Sequence, residues 1–283
     1  MAELPKITVV TPSYNQGKFL ERTILSVINQ NYPNLEYIII DGGSTDNSIE
    51  IIRKYEKYLS YWKSEKDNGQ ADAIRKGFAM ATGELIGWLN SDDMFFPGAL
   101  VEIGKAYQKN PDASIYTGGI AIGALHDGPI KKCAFPPKTL FFRKYGIIPV
   151  GQQSTFFNRK YYEKIGGINI NFYHRMDADL IFRLVNYHPK IVRVYKMIGF
   201  IRFHGEAKSA TAKELYIKEQ NEFINSLGLS PFRYKLIVHL NRIIRLLTGD
   251  YFYSWFATLK YKGKRMESIW DEYYEKNYNN LHL

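Results

Sequence analysis

One cysteine, Cys133, stands in 283 residues, so no disulfide can form within the chain, which suits a reducing compartment such as the cytosol. No stretch approaches the ~18 uninterrupted apolar residues of a membrane-spanning helix. The opening "MAELPKITVV" has no basic region ahead of a long apolar core, and no secretory leader is expected. Repeats and low-complexity tracts are missing, which argues against a solenoid or an extended disordered linker. Acids are outnumbered: 28 Asp and Glu face 38 Lys and Arg, for a net charge of +10. That imbalance suggests a polyanionic partner, either nucleic acid, an anionic membrane face or phosphorylated small molecules. With 45% hydrophobic and 23% charged residues, the composition is that of a globular protein with a sizeable core. Aromatics are abundant, at 22 Tyr and 17 Phe.

The first hundred residues alternate between strand and helix signals. "ITVVT" (7–11) and "YIIID" (37–41) are β-branched runs that end in polar, glycine-rich turns. Between them, Phe19, Leu20, Ile24, Val27 and Ile28 form one helical stripe over 18–30. "GGSTD" is expected to open a second helix capped by Ser44 or Thr45. A weaker strand near 61–65, a helix near 70–82, the strand "LIGWLN" (85–90) and a helix start at Pro97 follow. This alternation predicts an α/β fold with a mainly parallel, Rossmann-like sheet whose ligands sit beyond the strand C-termini. Asp41 and the adjacent pair Asp92 and Asp93 fall at such ends. Two neighbouring carboxylates among apolar residues resist burial unless a cation offsets them, and hard divalent ions prefer carboxylate oxygens. Capping of the helix after Pro97 is the competing role for the pair. Residues 114–205 carry weaker signals, with short strands near 153–158 and 191–204. From Glu206 onward the pattern is helical, so the expected division is a catalytic domain over 1–205 and a helical extension over 206–283.

The stretch "TPSYNQGKFLERTILSVINQNYPNLEYIIIDGGSTDNS" resembles the opening of inverting family 2 glycosyltransferases, with a P-[ST]-Y-N turn and a strand ending D-x-G-S-T-D. The resemblance continues through "EKDNGQADAIRKGFAMATGELIGWLNSDD", whose closing acids match the family's DxD-type motif. It is dense over residues 6–110 and sparser to about 205. It implies a GT-A fold and transfer of a sugar from a nucleotide-sugar, most simply UDP-linked, to an acceptor hydroxyl. By resemblance Asp93 would hold Mg²⁺ or Mn²⁺, Asp92 would face the ribose or sugar, and Tyr14 would flank the base with Pro12 and Ser13 beneath it. Asp41 resembles the nucleotide-binding acid. Family members often carry a second acid where this chain has Gly42; Asp67 or Asp72 is the expected replacement, with helix capping as the alternative for each. "HRMDADLIFRL" resembles the family's [ED]-D-x-D-L-x-x-R-L helix start, with Met176 in place of the first acid. That match implies Asp177 as the catalytic base and Asp179 as a structural acid. "RFHGEAKSA" resembles the segment with which family members close over the diphosphate, which implies His204 as a further metal ligand and Arg202 near the diphosphate, and "GQQSTFF" resembles the acceptor-side strand, which implies that Gln153 touches donor or acceptor.

Between Pro231 and Arg265 eight Lys or Arg accompany one acid, Asp250. Leu236, Ile237, Leu240, Ile243, Ile244 and Leu247 share a helical face, while Arg233, Lys235, His239, Asn241, Arg242 and Arg245 lie mostly off it. "YFYSWF" (251–256) adds aromatics. This combination predicts a helix lying in an anionic membrane interface, with a packed extension as the alternative. Nucleic acid is not expected, because no reader motif accompanies the charge. The resulting expectation is a cytoplasmic enzyme, peripheral on the inner face of the cell membrane, acting on a polyprenyl-linked saccharide in cell-surface polysaccharide synthesis. The alternatives are a soluble glycosyltransferase with a protein or small-molecule acceptor, or a non-catalytic nucleotide-sugar-binding scaffold.

Overall fold

The computed structural model describes residues 3–125, 128–138, 141–148, 151–204 and 213–277. Strand β1 (Ile7–Ser13) is buried along its whole length, as a strand covered on both faces is, with the Thr8 and Thr11 hydroxyls satisfied by Glu36 and Tyr37. It pairs in parallel with β2 (Leu35–Asp41) on one side and β4 (Leu85–Trp88) on the other, and β3 (Tyr61–Ser64) continues the parallel set beyond β2. The register aligns Ser13 with Asp41 and Asp41 with Ser64, so these strands end along one edge. Helices α1 (Gly17–Ile28), α2 (Ser48–Lys54) and α3 (Gln70–Ala79) make the connections. Gly77 lets α3 lie against β1, since a Cβ there would stand 2.5 Å from the Val10 side chain.

Past β4 the sheet becomes mixed. Its order is β3-β2-β1-β4-β8-β6-β9-β5, where β5 is Met94–Phe95, β6 Ile115–Leu125, β8 Thr155–Asn158 and β9 Ile191–Phe203. Strand β8 is antiparallel to both β4 and β6, β5 is antiparallel to β9, and β6 and β9 run parallel. Strand β7 (Gly128–Ala134) pairs with β6, off this path. Helix α4 (Ala99–Lys109) follows β5, α5 (Arg159–Lys164) follows β8, and α6 (Met176–Tyr187) precedes β9. The expected mainly parallel α/β sheet is present, with its parallel core in β1 to β4 and a mixed half beyond β4.

One local expectation is corrected. Helix α2 begins at Ser48 after Asn47, and neither Ser44 nor Thr45 caps it. The Ser44 hydroxyl donates to Asp41 Oδ1 at 2.5 Å and accepts the Asn15 N–H at 2.8 Å. It ties two strand-end turns together and is unavailable to a helix.

The expected domain boundary near 205 lies outside the described residues. Beyond it stand α7 (Lys213–Ser226), α8 (Pro231–Leu247), α9 (Phe252–Tyr261) and α10 (Met266–Asn277). Helix α10 buries Met266, Ile269, Trp270 and Tyr274 in one cluster with Met94, Phe96 and Phe200. Helix α9 covers the free edge of β7, where Thr258 and Ser254 hydroxyls accept the Cys133 and Phe135 N–H groups at 3.0 and 2.9 Å. The extension therefore shares the core of the sheet. Trp270→Ala is expected to cost about 3–5 kcal/mol of stability, read as a lower midpoint in denaturant unfolding; an unchanged midpoint would mean α10 is not part of the folded core.

Candidate active site

A cleft of about 690 Å³ opens where the parallel strands end, the position at which α/β sheets bind ligands. Pro12 and Ser13 form its floor at the end of β1, with the Ser13 hydroxyl buried and without a hydrogen-bond partner. Asn15 is left-handed (φ 50°), a conformation Asn tolerates better than most residues, and its Oδ1 accepts the Thr45 N–H at 2.8 Å. That pinned turn holds Tyr14 outward, 60% exposed at the cleft.

Asp41 does not reach the cleft. It is fully buried, and its carboxylate accepts the Gly43 and Ser44 N–H groups and the Ser44 and Ser64 hydroxyls. Its place in the structure is to shape the turn after β2. Asp67 does line the cleft, and its Oδ2 lies 2.9 Å from where a Cβ at residue 42 would stand. The Asp67 carboxylate thus fills the space that a side chain at position 42 would take. Asp72 is elsewhere: it is buried in the first turn of α3, accepts the Asn68 N–H at 3.2 Å and pairs with Arg75 and Lys76. Those partners hold its carboxyl below the usual range against the opposing effect of burial. Of the two alternatives, Asp67 faces the cleft and Asp72 organises a helix start.

The carboxylate pair sits on the turn between β4 and β5. Asp93 is almost wholly buried and accepts from Gln153 Nε2 (3.0 Å), Asn90 Nδ2 (3.1 Å) and the Arg202 N–H (3.2 Å). Burial, reinforced by the adjacent Asp92 charge, nonetheless pushes its carboxyl well above the usual carboxylate range. Asp92, one-fifth exposed, bonds His204 Nε2 at 2.9 Å. His204 is buried against the Phe19 ring at 4.3 Å, and its Nδ1 has no hydrogen-bond partner. The structure joins His204 to Asp92, while Asp93 meets the amides of Gln153 and Asn90. Arg202 is buried with its guanidinium 5.1 Å above the same Phe19 ring. A carboxylate destabilised by desolvation and a like charge fits a divalent cation, which would relieve both penalties.

Asp177 lines the cleft from the first turn of α6, where its Oδ1 accepts the Ala178 N–H at 2.7 Å. Asp179 points away and pairs with Arg183, which also donates to the Ile165 and Gly167 carbonyls. Of these two acids, Asp177 faces the cleft and Asp179 braces α6 through Arg183. Sequence reasoning missed Asn90 and Gln70, which face the cleft and join through a 2.7 Å side-chain bond. It also missed Lys66, a cleft-lining cation beside Asp67 whose only signal was its place in "EKDNGQAD".

Residues 8–166 match the family model described as glycosyl transferase family 2. An uncharacterized glycosyltransferase of Mycobacterium tuberculosis is 33% identical over 192 residues, covering 65% of this chain and 70% of that protein. Chondroitin synthase of Escherichia coli is 25% identical over 254 residues, 85% of this chain but only 36% of the synthase. Among solved structures, Staphylococcus aureus TarS 1–349 in complex with UDP-GlcNAc superposes with a TM-score of 0.59 at 16% identity. That match covers 73% of this chain and 61% of TarS 1–349, less than two thirds of its length. At such identity the likeness carries the fold, which is the GT-A architecture.

Proposed function

Because this chain belongs to glycosyl transferase family 2 and is a glycosyltransferase, we propose that it moves a sugar from a nucleotide diphosphate donor to an acceptor hydroxyl in polysaccharide synthesis, with inversion and with Mg²⁺ or Mn²⁺. The observation that carries this reading is that Tyr14, Asp67, Asp92, Asp93 and Asp177 all line one cleft. Tyr14 offers a free aromatic face for a base. Asp93, with Asp92 beside it, would hold the cation. Among the described residues no three His, Cys, Asp or Glu side chains form a metal cage, so phosphate oxygens and water would complete the ligand set. A divalent ion there supplies charge neutralisation for a diphosphate leaving group. The protein's own step is proton removal: the acceptor oxygen attacks the anomeric carbon, the bond to the diphosphate breaks, and Asp177 takes the hydroxyl proton.

A UDP-sugar is the favoured donor, supported by the UDP-GlcNAc carried by the TarS relative of the same fold. Hydrolysis or transfer should be measured over a panel of UDP-, GDP- and dTDP-sugars with Mg²⁺ and Mn²⁺. Turnover with UDP-sugars supports the reading, and no turnover with any donor would leave a non-catalytic binding protein.

The acceptor is proposed to be lipid-linked, because the extension presents an apolar surface flanked by cations. On α8, Phe232, Leu236, Leu240, Ile243 and Leu247 fall within an arc of about 100° at about 100° per residue, and Phe232 and Leu247 are 77% and 80% exposed. Arg233, Lys235 and Arg242 are exposed at the margins of this stripe. On α9, Phe252, Trp255, Phe256 and Leu259 are exposed as well. No helix among the described residues is long and apolar enough to cross a membrane. An apolar stripe bordered by Lys and Arg suits the interface of an anionic leaflet. Arg245 departs from the expected basic face: it turns inward to Asp250 at 3.2 Å, and Asp250 also accepts the Lys138 N–H at 2.7 Å. Charge reversal at Arg233, Lys235 and Arg242 together is therefore the informative variant. Vesicles containing anionic lipid should retain wild type, neutral vesicles should retain less, and salt should release part. The triple Glu variant should lose most of that retention. Equal sedimentation of the variant and wild type would direct the search to soluble acceptors.

A further inference from the structure

The segment that leads to Asp177 is held by a buried carboxylate on α7. Glu219 is 5% exposed. Its Oε1 accepts the Tyr173 N–H at 2.7 Å, and its Oε2 accepts the His174 and Arg175 N–H groups at 2.8 and 3.0 Å. These three amides lead directly into α6, whose N-cap residue Arg175 makes no side-chain cap. Charge-assisted bonds from a carboxylate to backbone N–H groups are among the stronger hydrogen bonds in proteins. The same face of α7 grips the segment by its side chains: Tyr216 meets the His174 ring edge-on at 5.9 Å, and the Arg175 guanidinium lies 4.8 Å above Phe223. Tyr216, Glu219 and Phe223 are spaced to share one side of a helix. Tyr173, His174, Met176 and Asp177, the residues on or next to the gripped segment, all line the cleft.

We propose that Glu219 is a positioning residue for the transfer reaction: it fixes the Tyr173–Arg175 segment, and through it the angle at which Asp177 enters the cleft. The proposal rests on the reading of Asp177 as the base. Glu219 touches no reacting atom; its three bonds set the backbone from which the α6 N-terminus starts. A helix start displaced by ~1 Å would carry the Asp177 carboxylate off the acceptor hydroxyl, and misplacements of that size can lower rates by up to about 10²-fold. Donor contacts at Tyr14, Asp67 and Asp93 lie on other elements and should be untouched. The extension then has a second task besides any surface contact: it completes the acceptor side of the site.

The test is a double-variant cycle on the full chain. Glu219→Gln keeps the size but loses the charge and one acceptor oxygen. It is expected to lower kcat about tenfold or more, with the donor KM within about twofold of wild type. In the Asp177→Asn background the same change should lower kcat no further, because the base it positions is already disabled. An unchanged kcat in Glu219→Gln, or an equal loss in both backgrounds, overturns the proposal. Asp177→Asn alone reports separately on the base: if it retains full rate, the base reading fails, and the positioning proposal is overturned with it. Should Glu219→Gln fail to fold, Phe223→Leu loosens the same grip without touching the carboxylate. A several-fold drop in kcat at constant donor KM is expected there, and an unchanged kcat overturns the proposal.

Discussion

Asp93→Ala is expected to bring sugar transfer to background, a loss on the order of 10³-fold or more, while the protein stays folded. The magnitude follows from the charge Asp93 would help neutralise: several kcal/mol of leaving-group stabilisation corresponds to about three decades in rate. The fold should survive because the side chain is a local burden. Asp93 is buried beside Asp92, and its carboxyl is held well above the ordinary range by that environment. Removing it abolishes a desolvated like-charge pair, the freed Gln153 and Asn90 amides border an open cleft where water can reach them, and the buried Arg202 N–H that loses its acceptor offsets part of that gain. The thermal midpoint without metal should match wild type or exceed it. The binding readout is separate from turnover: affinity for UDP should fall in Asp93→Ala when Mg²⁺ or Mn²⁺ is present and stay level in EDTA. Metal-stimulated turnover equal to wild type would remove Asp93 from the site.

The parallel half of the sheet was legible because its signals are local. β-Branched runs such as "ITVV" end at turn residues, and the carboxylates at those ends follow from strand length alone. The β6–β7 pair was not legible: "YTGGIAIGAL" is glycine-rich with weak alternation, and its register shifts near Ile122 and Gly123. In the site, strand-end reading pointed to Asp92 and Asp93 and the family resemblance to Tyr14 and Asp177, and all four line the cleft. What depends on a distant partner was misjudged. Asp41 belongs to a recognisable strand end, yet Ser64 from another strand helps saturate it. Asp67 and Asp72 are equivalent as sequence, and the fold separates them: Asp67 approaches Gly42 at the cleft, while Asp72 is buried in α3 against Arg75 and Lys76. Arg245 fits the basic face of α8 by spacing, but Asp250 and the Lys138 turn draw it inward. Glu219 carries no motif at all, because its ligands are backbone amides from another part of the chain.

Asp177→Asn is the second large effect expected, with kcat lowered about 10²-fold or more while donor binding survives. Asparagine matches the acid in size and still offers an acceptor oxygen to the Ala178 N–H, so α6 should start where it does in wild type. What disappears is basicity, and an amide cannot take the acceptor proton. Asp179 provides the internal control, since it carries the same charge two residues on but is tied to Arg183 at 2.7 Å and buried. Asp179→Asn should therefore act on stability, lowering the unfolding midpoint as the Arg183 contact weakens, with kcat per folded molecule little changed. The two variants separate chemistry from architecture on one helix turn. KM for the donor should stay within about twofold of wild type in Asp177→Asn, because the proposed donor contacts Tyr14, Asp67 and Asp93 lie on the turns after β1, β3 and β4 and not on α6. If Asp177→Asn keeps most of its rate, His174 is the next group to test, because it lines the same cleft wall. If instead donor affinity collapses with the rate, Asp177 belongs to the donor subsite, and the acceptor hydroxyl must lose its proton elsewhere.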